Sequence, residues 1–138
     1  MTDIEKAVDG LDGHSVCLVR GEEKLTRDGR GISPLIALAE EGRDLRGFSA
    51  ADLIVGRAAA MIFVCLGVAS VYGKTMSRGG AEYLEKRGIP YSYGVLTEKI
   101  INRTGDDVCP MEKAVAGTED AAEGLRLIKS ALAALQRP

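Results

Sequence analysis

The chain has 138 residues, 46% of them hydrophobic, which suits one domain burying about two-thirds of its unfolded surface without a disulfide or metal staple. Eighteen basic against twenty acidic residues leave a net charge of −2, and Trp is absent, so the chain offers neither a basic footprint nor stacking platforms for nucleic acid. Cys17, Cys65 and Cys109 are odd in number and widely spaced, as expected of reduced thiols rather than a disulfide framework.

The amino-terminal MTDIEKAVDG is polar and carries no signal-peptide pattern. With Ile4, Ala7, Val8 and Leu11 at helical spacing it predicts a short amphipathic helix from Thr2 to Leu11. HSVCLVRG and EEKLTRDGRG then read as two strands of a hairpin joined by a tight Gly-Glu-Glu connection. Ser33 as cap and Pro34 at the first turn start a second helix, which Gly42 ends. RDLRGFSA is a polar connection, and Ala51–Val55 leads into a long apolar helix from Gly56 to Leu66, closed by Gly67. That apolar run is shorter than the ~20 residues that span a bilayer.

Val68–Tyr72 is β-branched and predicts a buried strand. A helix capped by Ser77 runs through Arg87, where Gly88 and the following Ile89-Pro90 stop it. YSYGVL is the next strand. Cys109-Pro110 opens one more helix, and Thr118 with Glu119 and Asp120 opens the last, whose Leu125, Ile128, Leu132 and Leu135 form one apolar stripe. A hairpin followed by helix, strand, helix, strand predicts a three-layer α/β/α sandwich around a mixed sheet of about five strands, in a single domain. Its core would span residues 14–116, with a carboxy-terminal helix over 118–136.

Three separated stretches, DLIVGRAAAMIF, VYGKTMSRGGAEYLEKRGIPYSY and INRTGDDVCPMEKAV, resemble an uncharacterised bacterial family, the domain of unknown function 1893, whose fold resembles that of cytidine deaminases. The resemblance covers about residues 14–116 and implies a deaminase-like architecture; the unpaired cysteines and the polar amino terminus give a cytoplasmic protein as the expectation. In zinc deaminases His-x-Glu opens the helix after the first hairpin and Pro-Cys-x-x-Cys opens the helix after the next strand. Here those places hold Gly56-Arg57-Ala58 and Thr75-Met76-Ser77-Arg78-Gly79-Gly80. The zinc ligands and the proton-shuttling Glu therefore have no counterpart, and neither a metal site nor a cofactor is expected. The single His14 is expected to play a structural part at a strand edge.

Arg57 stands where a helix amino terminus already carries positive partial charge. Two compensations are open: a bound anion gripped by the amides after Gly56 together with the Arg57 fork, or a salt bridge to Asp52. A second helix start, with Lys74, Thr75, Ser77, Arg78, Gly79 and Gly80, is expected to form an anion nest; in a deaminase-like fold it would face the same pocket. For Gly79-Gly80 the other expectation is close helix packing. Asn102 and Arg103 are further pocket candidates.

Cys109 is a candidate nucleophile or redox-sensitive thiol, with Glu112 as its acid/base partner, unless it serves as a structural cap. Cys17 and Cys65 are expected to be small core residues. The leading expectation is a zinc-free domain that binds a small anionic or nucleotide-like ligand. The alternatives are an enzyme using Cys109, or a self-associating module, a homodimer built on the carboxy-terminal stripe. No membrane or nucleic-acid partner is expected.

Overall fold

The structure, a computed structural model, describes residues 1–102, 104–105 and 107–136. Helix α1 (Asp3–Gly10) is started by a capping box: Thr2 Oγ1 accepts the Glu5 N–H, and Glu5 Oε1 accepts the Thr2 N–H. Strands β1 (Val16–Arg20) and β2 (Glu23–Arg27) form the hairpin, turning on Gly21 at φ 61°. The pattern in β1 has a direct cause. Val16 and Leu18 face the large core, whereas Cys17 and Val19 face α1, so a strand covered on both sides reads as an unbroken apolar run.

Helix α2 (Ser33–Glu41) carries Pro34 in its first turn and ends at left-handed Gly42, but its cap residue is Ile32 rather than Ser33 and no side chain closes it. Strand β3 (Ser49–Val55) begins two residues earlier than Ala51, taking in the end of the expected connection. Helix α3 (Arg57–Leu66) follows and stops at left-handed Gly67. Residues Ala58 to Phe63 are all buried, because α2, α4, α5 and α6 pack around this helix while its inner side lies on the sheet.

Strand β4 spans Ser70–Ser77, well beyond the expected Val68–Tyr72. Lys74, Thr75 and Met76 are therefore strand residues rather than part of a turn. Helix α4 (Arg78–Lys86), strand β5 (Tyr91–Thr97), helix α5 (Pro110–Val115) and helix α6 (Ala121–Leu135) complete the chain. Asp120, not Thr118, caps α6. The sheet order is β2-β1-β3-β4-β5, antiparallel on either side of β1 and parallel from β3 to β5. The layers are unequal: α1 alone covers one face, and the other five helices lie on the opposite face over the main core.

Two glycines set helix spacing. A Cβ on Gly80 would lie 2.8 Å from the Val55 carbonyl, and one on Gly124 would lie 2.3 Å from the Met61 sulfur. Their absence lets α4 press on the β3–α3 turn and α6 cross α3 closely. The stripe expected to mediate self-association is largely consumed here: Ile128 is buried and Leu125 and Leu132 pack on the main core, leaving Leu135 exposed. No described helix is long and apolar enough to cross a membrane.

Candidate functional site

The turn from β3 into α3 explains why Gly-Arg interrupts the apolar sequence. Helix α3 has no side-chain cap of its own, so its first N–H groups need an acceptor. Glu112 of α5 supplies it from 54 residues further along the chain: Oε1 accepts the Arg57 N–H and Oε2 the Ala58 N–H, each at 2.8 Å. Gly56 is in an extended conformation that any residue adopts, so space rather than φ demands glycine. A Cβ there would sit 2.1 Å from Glu112 Oε1. The helix terminus does hold an anion, and that anion belongs to the protein.

Arg57 is spent on the same assembly. Its guanidinium donates to the carbonyl of Val115 at 3.3 Å and to that of Thr118, and pairs with Glu119 at 3.4 Å. It also lies over the Tyr83 ring, 5.1 Å from the centroid. The salt bridge to Asp52 anticipated from sequence is replaced by these contacts, because Asp52 lies within the strand and not beside the guanidinium. Backbone and side chain of one residue thus fasten both ends of α5 to α3.

Two clefts meet at Glu112, which lines both. The smaller, about 300 Å³, runs between the starts of α3 and α4 and brings together Arg57, Ser77 and Gly79. Its charged lining is mixed, with Arg57 and Lys99 against Glu98, Glu112 and Glu119. Ser77 is occupied in capping α4, its Oγ accepting the Gly80 N–H at 3.0 Å. Arg78 pairs outward with Glu98, and Lys74 and Thr75, which lie within β4 ahead of the turn, line neither cleft. The expected anion nest is not assembled: neither Gly79 nor Gly80 has positive φ, and Gly80 serves close packing.

The larger cleft, about 850 Å³, opens beside the end of β3 and includes Asp52, Gly56, Asn102, Cys109 and Glu112. Arg103, another candidate, lies outside the described residues. Ligand sites of open α/β sheets favour the carboxyl ends of strands, which is where this cleft lies. The Asp52 side chain is half-buried in the wall of this cleft and accepts the Ile54 N–H at 3.4 Å. Burial pushes it up to about 7. Burial also raises Glu112, against the pull of the two amides and of Arg57. Neither carboxyl has a side-chain cation in an ion pair among the described residues.

Sequence reasoning took Asp52 only as a partner for Arg57 and passed over Arg30 and Ser33, which also line this cleft. The one local signal for Asp52 was a carboxylate inside an otherwise small and apolar strand, SAADLIV. Cys109 is half-buried, and its sulfur makes no cap; its N–H donates to Ile100 O at 2.9 Å. Cys17 is buried as expected, whereas Cys65 is exposed on the outer side of α3. His14 pairs with Asp28 at 3.0 Å on the surface. Among the described residues no group of three His, Cys, Asp or Glu side chains is placed to hold a metal ion.

Fold and site together define an α/β domain with a carboxyl-floored cleft at the end of its third strand. Residues 9–132 match the TM1506 family, a domain of unknown function also designated DUF1893, and the chain belongs to that family. It is similar in structure to a DUF1893 family protein, TM1506, from Thermotoga maritima, with a TM-score of 0.85 at 22% identity over 94% of this chain and 90% of that one. Comparison with curated proteins gives no significant match.

Proposed function

We propose that this chain is a deaminase-like domain of the bacterial cytoplasm that works without zinc and binds a small, nucleotide-like molecule in its larger cleft. One observation carries the proposal: a cleft of about 850 Å³ is lined by the half-buried Asp52 carboxyl, to which no side-chain cation is paired among the described residues. Carboxyls taken out of water are costly unless compensated, and perturbed acids in clefts are candidates for recognition sites. Asn102 and the apolar walls supply orientation and contact area. The usual zinc of a deaminase does not fit this chain, since Gly56-Arg57-Ala58 and Ser77-Arg78 bring no His, Cys or free Glu to the two helix starts.

The amino terminus of α3 is the weaker alternative for a ligand. Glu112 already fills its amides, and Arg57 is turned toward carbonyls. Thermal unfolding of the protein in the presence of the common nucleosides and nucleotides tests the choice. A ligand that raises the melting temperature of the wild type and of Arg57→Ala, but not that of Asp52→Asn, supports the larger cleft. A panel in which no compound raises it would sink the proposal.

A second reading is favoured by the position of Cys109 in the same cleft as Asp52 and Glu112. There the thiol would act covalently, with a carboxyl as proton acceptor. Its signature is alkylation of Cys109 near neutral pH that outpaces the exposed Cys65.

A further inference from the structure

The larger cleft is graded in polarity. Asp52 and Glu112 are half-buried in its lining and mark its more sheltered end; Ala59, Met111 and Leu132 contribute apolar wall; Arg30 is exposed and marks its open mouth, with no ion pair among the described residues. We infer that this cleft takes a bipolar ligand, with an amidine, guanidine or ammonium group against Asp52 at the sheltered end and an anionic group against Arg30 at the mouth. The inference deepens the ligand-binding reading and rests on it.

Charge and hydrogen bonding select the orientation. An anion at the sheltered end would meet two half-buried carboxyls, and like charges repel. A purely apolar group would leave Asp52 as uncompensated as it is in the free protein. N–H donors bearing positive charge remove both penalties, and a flat amidine matches the two oxygens of a carboxylate in parallel. The raised pKa of Asp52 agrees with this, because desolvation outweighs the Ile54 and Leu53 amides and no side-chain cation offsets it. At the mouth an arginine in solvent suits a carboxylate or phosphate, adding orientation more than affinity.

The test uses four probes of one shape: 4-amidinobenzoate, benzamidine, benzamide and benzoate. Each is titrated into the full chain while amide resonances of the cleft are followed by NMR. The expected order is 4-amidinobenzoate, then benzamidine, with benzamide weaker by at least about tenfold and benzoate weakest. Asp52→Asn should cut the affinity for both amidines by about tenfold or more, and Arg30→Ala should bring 4-amidinobenzoate down to the level of benzamidine. The same spectra report whether each variant is folded. If benzamide or benzoate moves the cleft resonances while the amidines do not, the cleft binds ligands and the bipolar assignment is overturned. If none of the four moves them at millimolar concentration, the assignment and the ligand-binding reading fall together.

Discussion

The Glu112 carboxylate is the amino-terminal cap of α3, accepting the N–H groups of Arg57 and Ala58 at 2.8 Å each from a different helix. Most helices close their first turn with a residue adjacent in sequence. Here the cap comes from α5, so the start of α3 and the position of α5 form one structural unit.

Glu112→Gln keeps one acceptor and turns an amide NH₂ toward a backbone N–H. We expect it to lower stability by about 1–3 kcal/mol, the cost of leaving a buried donor unsatisfied. Urea unfolding measures the loss; an unchanged midpoint would mean that the contact carries no net stability.

Gly56→Ala places a methyl group where the Glu112 carboxylate now sits. Overpacking of this kind costs roughly 1–3 kcal/mol. Because the clash is mainly with Glu112, the penalty should shrink clearly in a Glu112→Ala background, which a double-mutant cycle reads as a coupling energy. Equal penalties in both backgrounds would place the strain elsewhere.

Arg57→Lys retains the charge but not the planar fork that reaches two carbonyls and stacks on Tyr83. Hydrogen exchange should quicken in α5 and at the start of α6, while amides of β1, β3 and β4 keep their protection. Uniform acceleration across the sheet would show a global loss instead.

Asp52 makes stability depend on pH in a stated direction. Its carboxyl titrates near 4 in an unfolded chain and at about 7 in the folded one. Between those values the folded state holds the extra proton, so the contribution of Asp52 is fully present below pH 4, falls as pH rises to about 7 and then levels off. Asp52→Asn should remove this component, leaving a variant that gains on the wild type by up to about 4 kcal/mol between pH 4 and 8, from a shift of about three units at 1.36 kcal/mol each. A difference between the two proteins that does not vary with pH would mean that the carboxyl is well solvated.

Much of this architecture was legible in the sequence, for local reasons. HSVCLVRG announced a strand of the hairpin, though not that both of its faces are covered, and Gly42 and Gly67 marked helix ends through the left-handed conformation they adopt. The polar residues of KTMS concealed the second half of β4. That strand can carry them because α1 covers only part of its face, leaving Lys74 exposed.

The site was harder to read because its decisive contacts are distant. Arg57 stood out correctly as a charge in need of compensation, but nothing local indicated that Glu112, Val115 and Thr118 would supply acceptors from beyond β5. Cys65 misled in the opposite way. Its apolar neighbours suggested burial, whereas helical rotation carries it to the outer surface.

Native mass spectrometry of the protein as purified, alongside Asp52→Asn and Arg57→Ala, reads the occupancy of the larger cleft. If a small molecule occupies that cleft through Asp52 while Glu112 closes α3, the wild type and Arg57→Ala carry an added mass that Asp52→Asn lacks. An added mass that survives Asp52→Asn and disappears from Arg57→Ala would contradict this reading and move the ligand to the amino terminus of α3.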